Sequence, residues 1–153
     1  MRVVYTAGVF DLLHHGHRHI ISESEKLGSR LIVGVVADAS YKGVIPEWSL
    51  ERRLMEVAAL PGVDLVMVQR GTDPSQSLLK LAHLGLTPYA MTHGGDWDRL
   101  KEGHETLETL GINWVQVPLV GDISSTKIRE EVKRLREGVR DVESEEVQDA
   151  VSA

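Results

Sequence analysis

Short apolar runs alternate with segments of helical periodicity along most of this chain. Five of the runs are predicted as strands, namely Val3 to Ala7, Leu31 to Ala37, Asp64 to Val68, Pro88 to Thr92 and Trp114 to Pro118. Because they are apolar at consecutive positions and rich in β-branched residues, they are typical of strands buried on both faces of a parallel sheet.

Apolar positions at helical spacing predict five helices in and after the gaps between strands. The first begins near Gly16, the second runs from Ser49 to Leu60, the third begins at Asp73-Pro74-Ser75-Gln76, the fourth runs from about Asp98 to Leu110, and the fifth begins at Ser124 or Ser125. The start of the third resembles a capping box with proline at the first helical position, and its expected apolar side is Leu78, Leu79, Leu81 and Leu84. The alternation predicts an α/β fold, a doubly wound parallel sheet of about five strands with helices on both faces. Ligands of such sheets bind beyond the carboxyl ends of the strands.

Composition narrows the class of protein without changing this fold. A chain of 153 residues suits one domain, which we place at residues 1–137, followed by an acidic tail at 138–153. The formal net charge of −6 argues against sequence-independent binding of nucleic acid, and the lack of cysteine excludes disulfides and thiolate chemistry. No signal peptide and no apolar run of membrane-spanning length is recognisable, so we expect a cytoplasmic protein.

A histidine motif, His14-His15-Gly16-His17, lies where the first strand gives way to the first helix. Gly8, at the end of the strand, allows a tight turn and the approach of a phosphate to backbone amides. His14 and His17 are three residues apart, so both face one side at the helix start, where the helix dipole also favours an anion. The motif therefore predicts a phosphate site. The alternatives are a transition-metal site, for which His14 with His17 or His15 with His19 has usable spacing, and surface histidines without a role.

A second polar motif, Ile123-Ser124-Ser125-Thr126-Lys127-Ile128-Arg129, follows the last strand and opens the last helix. Three hydroxyl groups beside unpaired helix amides, with an arginine one turn on, are typical of an anion cradle. Taken alone, the same residues also suit a plain helix cap with basic surface residues. Paired with the histidine motif, the segment indicates a second phosphate-binding element.

The two motifs together resemble the cytidylyltransferase-like nucleotidyltransferases, and the chain is most similar to the glycerol-3-phosphate cytidylyltransferase type. Residues 5–17 resemble the family's H-x-G-H signature, and residues 123–129 resemble its I-S-S-T-x-I-R element, which holds the β and γ phosphates of the triphosphate. The resemblance extends over about residues 1 to 135 and implies a Rossmann-like fold, Mg²⁺ bound mainly through the triphosphate, and a homodimer. The implied partners are a nucleoside triphosphate and a small phosphorylated acceptor, with no nucleic acid and no membrane.

The resemblance also implies roles for individual residues. The catalytic residues would be His14, His17, Lys42 and Lys127. The nucleotide would contact Ala7, Gly8, Val9, Phe10, Gly16, Asp96, Trp97, Ser124, Ser125, Thr126 and Arg129, and the acceptor would contact Asp11, Asp38 and Arg53. No protein side chain is assigned to a metal.

Four of these residues have a second interpretation. Lys42 also suits a solvated loop, and Arg53 also suits a charged helix surface. Trp97 would stack on a base or pack in the protein. Asp11 would orient a histidine or a bound metal, or simply cap the turn.

Departures from the family pattern leave the base and the acceptor open. Leu119-Val120-Gly121-Asp122 stands where the cytidylyltransferase branch has R-T-E-G. Val9, Asp38-Ala39-Ser40 and Gly94-Gly95-Asp96 are closer to sugar-phosphate adenylyltransferases of the heptose pathway. Our leading hypothesis is transfer of CMP from CTP to a phospho-alcohol such as glycerol 3-phosphate. The alternatives are adenylyl transfer to a sugar 1-phosphate, and a nucleotide-binding module without catalysis.

Overall fold

The computed structural model describes residues 1–40, 43, 45–94, 102–118, 130 and 132–135. Strands and helices alternate along this part of the chain, as the apolar pattern predicts. In chain order they are β1 (Val3–Gly8), α1 (His15–Glu25), β2 (Arg30–Val36), α2 (Leu50–Ala58), β3 (Leu65–Gln69), α3 (Ser75–His83), β4 (Ala90–Gly94), α4 (His104–Leu110) and β5 (Asn113–Val117).

The five strands form one sheet in the order β3-β2-β1-β4-β5, and every neighbouring pair is parallel. The chain builds outward from β1 to β3, then crosses back to place β4 on the other side of β1. The carboxyl ends of β1 and β4 therefore border the switch point, which is where doubly wound sheets bind their ligands. The predicted Rossmann-like α/β fold is confirmed, and the histidine motif follows the strand at its centre.

Alternate side chains of β1 enter two separate cores, because successive residues of a strand point to opposite faces. Val3, Tyr5 and Ala7 pack with residues of α3 and α4, including Leu78. Val4 packs on the other face with residues of α1 and α2. Helices thus cover both faces of the sheet, which explains why the central strands are apolar at consecutive positions.

The prediction that all five strands are buried on both faces is wrong for the two edge strands. In β3, Leu65 and Val68 remain 48% and 44% exposed, whereas β1 and β4 are almost wholly buried. β5 has the same partly exposed pattern as β3. A strand at the edge of a sheet lacks a neighbour on one side, and the apolar run itself does not reveal this position.

The third helix differs from its prediction at its start and on its apolar side. Leu78 and Leu81 are buried, but Leu79 and Leu84 are more than half exposed, because the four leucines extend over more of the helix than the face that meets the sheet. The helix begins at Ser75, and Pro74 occupies the cap position without a side-chain hydrogen bond. Asp73 Oδ1 instead accepts the Ser75 N–H at 2.9 Å.

The last two predicted helices lie only partly within the described residues. α4 ends before Gly111, whose left-handed φ of 67° confirms the predicted stop. Its predicted start at Asp98 lies outside them. Residue 130 and residues 132–135 are helical, and Leu135 is buried. None of the helices in the described part of the chain combines the length and apolar character that crossing a membrane requires.

Candidate active site

The loop between β1 and α1 lies at the switch point and is buried along nearly its whole length. Residues 9–14 are all buried, which is unusual for a connecting segment. Phe10 and Leu12 have φ angles of 53° and 51°, a left-handed conformation that disfavours large side chains by about 1–2 kcal/mol per residue. The surrounding structure must hold such a conformation in place, and strained backbone of this kind is concentrated at functional sites.

His14 and His17 lie together at the start of α1. His14 is the N-cap residue, and its Nδ1 accepts the Gly16 N–H at 3.0 Å. His17 completes a reciprocal cap, because its Nδ1 accepts the His14 N–H at 3.4 Å. The two rings stack with their centroids 3.9 Å apart. The structure thus brings together the two histidines that the motif predicts to act as a pair, and gives Gly16 a part in orienting one of them.

These hydrogen bonds fix which ring nitrogen carries the proton. In a neutral imidazole one nitrogen donates and the other accepts. Because Nδ1 of both His14 and His17 accepts a backbone N–H, the proton of each neutral ring is on Nε2. Both side chains are therefore set up as Nε2–H donors at a helix N-terminus, an arrangement suited to anionic oxygen.

The neighbouring loop residues use their side chains for packing. Val9 lies in a small cluster with Val36 and Ala39, and Phe10 packs in the core beneath α1 and α2. Ala7 packs on the opposite face of the sheet. Contacts from these positions to a nucleotide, and from Gly8, would have to come from the backbone. Their predicted roles in nucleotide binding remain predictions.

Asp11 uses both carboxylate oxygens to hold the segment that leads into α2. Its Oδ2 accepts the Glu47 N–H and its Oδ1 accepts the Trp48 N–H, each at 2.9 Å. The side chain is 1% exposed. These contacts match the interpretation of Asp11 as a residue that caps a turn. The expected contact with the acceptor remains a prediction.

Arg53 is a buried cation, so its interpretation as helix-surface charge is wrong. It is 2% exposed, and its Nη1 donates to the carbonyl oxygens of Val9 at 3.0 Å and Val36 at 2.7 Å. Its Nε donates to the Trp48 carbonyl at 3.2 Å. Burial lowers the pKa of Arg53, and the nearby Asp11 carboxylate partly offsets this, so the guanidinium remains charged. Its predicted contact with the acceptor remains a prediction.

Asp38 lies just beyond the carboxyl end of β2 and is exposed. Its Oδ1 accepts the Ser40 N–H at 2.9 Å, and this backbone hydrogen bond is the main cause that lowers the pKa of Asp38. Ala39, the residue after Asp38, packs against Val9 of the loop of residues 9–14, which we call the histidine loop. A charged carboxylate thus lies at the same edge of the sheet as the histidines, where an acceptor would approach.

Several predicted site residues lie outside the described residues, and their roles remain predictions. They are Lys42, Asp96, Trp97, Ser124, Ser125, Thr126, Lys127 and Arg129.

His93, which the sequence did not reveal as a candidate, lies near the carboxyl end of β4 beside the switch point. It is 5% exposed, and its ring stacks on Trp114 with the centroids 4.2 Å apart and the planes 16° apart. Its Nδ1 is 2.8 Å from the Gly94 carbonyl oxygen, so in the neutral ring the proton is on Nδ1. The available signal was its place directly before Gly94-Gly95, at the carboxyl end of a central strand.

His93 predicts a loss of stability in mild acid. Burial lowers its pKa below the ordinary value, and the hydrogen bond to Gly94 only partly offsets this. The unfolded chain therefore takes up this proton at a higher pH than the folded chain does. The free energy of unfolding should be fully maintained above about pH 6.5 and should fall as the pH drops below it. Urea unfolding between pH 7.5 and 5 should show a weaker pH dependence for His93→Gln than for the wild type. The same slope in His93→Gln and in a control, His83→Gln at an exposed position of α3, would contradict this origin.

The described residues do not provide a ligand set for a metal ion. No group of three or more histidine, aspartate or glutamate side chains within them is arranged to hold one. Asp11, the one carboxylate between Gly8 and His17, directs both oxygens to backbone amides. Within the described part of the chain, the side chains therefore do not fit a protein-held Mg²⁺.

Comparison with known proteins finds relatives over most of the chain. The family model described as cytidylyltransferase-like matches residues 5–131. The bifunctional protein HldE of Desulfatibacillum aliphaticivorans is 34% identical over 141 residues, which is 88% of this chain and 28% of that protein. That of Alcanivorax borkumensis is 35% identical over 142 residues, 89% of this chain and 28% of the relative. The chain thus spans little more than a quarter of the length of these relatives.

Solved structures extend the comparison to the fold. A lipopolysaccharide core biosynthesis protein from Thermoplasma volcanium GSS1 is 31% identical, with a TM-score of 0.65 over 80% of this chain and 99% of that one. Thermotoga maritima TmcAL bound with alpha-thio ATP has a TM-score of 0.69 over 89% of this chain and 51% of that one, and at 12% identity it supports the fold alone. With the family model matching residues 5–131 and the H-x-G-H histidines paired at the switch point, this chain belongs to the cytidylyltransferase-like family.

Proposed function

We propose that this chain is a nucleotidyltransferase that joins a nucleoside triphosphate to a small phosphorylated acceptor and releases pyrophosphate. The observation that carries the proposal is the stacked pair His14 and His17, in which both Nδ1 atoms accept backbone N–H groups, so that the proton of each neutral ring is on Nε2. The pair lies at the switch point of a doubly wound sheet, at the N-terminus of α1. Family membership supports the same activity.

The reaction that this site suits is an in-line displacement at phosphorus. A phosphate oxygen of the acceptor attacks the α-phosphorus of the triphosphate, a new phosphorus–oxygen bond forms, and the bond to pyrophosphate breaks. Negative charge grows on the non-bridging oxygens of the α-phosphate, and hydrogen bonds from His14 and His17 Nε2–H would stabilise it. The leaving pyrophosphate would be held by Ser124, Ser125, Thr126 and Arg129, and the reacting phosphates would be bridged by Lys42 and Lys127.

Two combinations of base and acceptor remain in the proposal. CMP transfer to a phospho-alcohol is the leading sequence-based hypothesis. Adenylyl transfer to a sugar 1-phosphate gains support from the similarity to the Thermoplasma volcanium lipopolysaccharide core biosynthesis protein, because a lipopolysaccharide contains sugars. Asp38, exposed and charged beside the histidine loop, suits hydrogen bonds to the hydroxyl groups of a sugar. Asp38 would suit the hydroxyl groups of glycerol 3-phosphate equally well, so our preference for the sugar phosphate rests on the similarity to the Thermoplasma volcanium protein.

The proposal also includes Mg²⁺ carried by the triphosphate, a homodimer and a cytoplasmic location. Mg²⁺ would neutralise charge on the phosphate oxygens. None of the three follows from the geometry above, and each has its own measurement: activity in EDTA, mass by light scattering, and cell fractionation.

A pyrophosphate-release screen tests the proposed function. Purified protein with Mg²⁺ is incubated with each of ATP, CTP, GTP and UTP, combined with glycerol 3-phosphate or with a panel of hexose and heptose 1-phosphates. We expect pyrophosphate only when triphosphate and acceptor are both present, and most of it with ATP and a sugar 1-phosphate. Release with CTP and glycerol 3-phosphate would instead establish the other combination. Tight binding of a triphosphate without release for any acceptor would identify a nucleotide-binding module and contradict the proposal.

A further inference from the structure

The histidine loop is held by a buried network that joins three segments of the chain. Residues 9–14 are buried, and Phe10 and Leu12 are in the left-handed region. A buried loop still carries backbone carbonyl and N–H groups that need partners. Side chains from other segments must therefore keep this loop in the one conformation that pairs the histidines.

Arg53 reaches the loop from α2 and connects it to its surroundings. One guanidinium nitrogen, Nη1, donates both to the Val9 carbonyl in the loop and to the Val36 carbonyl at the end of β2. Nε donates to the Trp48 carbonyl just before α2. The guanidinium thus holds three backbone segments at fixed separations.

Asp11 makes the reciprocal connection, from the loop to the segment before α2. Its two oxygens accept the N–H groups of Glu47 and Trp48. Trp48 is therefore held on both sides, through its carbonyl oxygen by Arg53 and through its N–H by Asp11. Asp11 is flanked by the two residues with left-handed φ angles, so its anchoring constrains the strained part of the loop.

We propose that Arg53 and Asp11 are positioning residues, which act on the reaction by holding the histidine loop and make no contact with the acceptor. The catalytic part of this inference rests on the proposed nucleotidyltransferase activity. The family resemblance assigns contacts with the acceptor to these two residues. We assign those contacts to exposed groups such as Asp38 instead. Both side chains are almost fully buried and are directed at backbone atoms.

The test replaces Arg53 with methionine, which keeps the aliphatic stem and removes every donor. Arg52→Met is the matched control, because Arg52 is the adjacent residue of the same helix, is itself exposed and stacks over the Trp48 ring. Val57→Ala, at a fully buried position of α2, controls for loss of stability alone. Asp11→Asn is the second variant of the network, because its amide presents a donor where an N–H group needs an acceptor.

We expect Arg53→Met to lower kcat about 100-fold, as for a misplaced catalytic group, while the KM of each substrate changes less than about threefold. Arg53→Lys should recover little, because one ammonium group cannot span the three carbonyl oxygens. Arg52→Met and Val57→Ala should retain kcat at temperatures where they are folded. A raised KM for the acceptor with unchanged kcat in Arg53→Met would show a substrate contact and overturn the proposal.

A second measurement does not depend on activity. In ¹⁵N-labelled protein without substrate, imidazole nitrogen shifts should show the Nε2–H tautomer for His14 and His17 in the wild type, Arg52→Met and Val57→Ala. In Arg53→Met, or in Asp11→Asn if the former does not fold, the two rings should lose this single tautomer. Unchanged ring signals would overturn the positioning role. If the wild type released no pyrophosphate with any substrate, the proposed function would fail, and the ring signals would still decide whether the network positions the histidines.

Discussion

Replacing His17 with alanine should lower kcat for nucleotidyl transfer by about 100- to 1,000-fold, because it removes one of two preorganised donors to the α-phosphate. The structure makes His17 the cleaner of the two histidines to replace. Its ring accepts a long 3.4 Å hydrogen bond from the His14 N–H, so we expect a stability loss of about 1 kcal/mol. His14→Ala should lower kcat similarly but cost more stability, since His14 is the N-cap and is 5% exposed.

His19→Ala is the matched control for this substitution. His19 belongs to the same helix, two residues further on, and lies outside the stacked pair. Steady-state pyrophosphate release and thermal unfolding of the three proteins would be measured together. Turnover of His17→Ala within a few-fold of the wild type, or an equal loss in His19→Ala, would reject the role of the pair.

The fold was predictable because its main signals are local. Consecutive apolar residues in the central strands, Gly111 after α4 and the alternation of periodicities each follow from short stretches of sequence. The errors have a common origin in tertiary position. Leu65 and Leu79 are apolar residues of a type usually found in the core. Leu65, however, lies on an edge strand, and Leu79 lies on the outer side of a helix. Composition does not carry that information.

The candidate site divides in the same way. The pairing of His14 with His17 follows from their spacing at a helix start, and the order of the strands then places the pair at the switch point. Arg53 could not be placed by spacing, because its partners are backbone carbonyls of residues 9, 36 and 48, which any sequence would provide. His93 was missed for a related reason, since its neighbour Trp114 belongs to the next strand.

Gly34 is likewise constrained by side chains that are distant in the sequence, and its substitution should have the largest effect on stability. The phenol of Tyr5 on β1 extends across β2 at Gly34 and donates a 2.6 Å hydrogen bond to Gln69 Oε1 on β3. Burial raises the pKa of this phenol well above its ordinary value, so the hydroxyl keeps its proton and remains a donor. The hydrogen bond thus ties three neighbouring strands together over a position that has no side chain.

In Gly34→Ala, the new Cβ would lie 1.9 Å from the Tyr5 hydroxyl oxygen and 2.8 Å from Cζ, so the ring must move. Tyr5 is fully buried, so movement breaks its hydrogen bond and strains the core. We therefore expect the free energy of unfolding to fall by about 3 kcal/mol, which corresponds to about 6–12 °C in Tm.

Gly71→Ala is the control, because a Cβ there has nothing within 4 Å. The double variant Tyr5→Phe/Gly34→Ala lacks the closest clash. Its loss of stability should therefore be smaller than the sum of the losses in the two single variants. Thermal unfolding that shows full additivity, or a Gly34→Ala protein as stable as Gly71→Ala, would contradict the steric account. Because the histidine loop directly follows β1, which contains Tyr5, the same experiment also measures how firmly the strand that leads into the candidate active site is anchored.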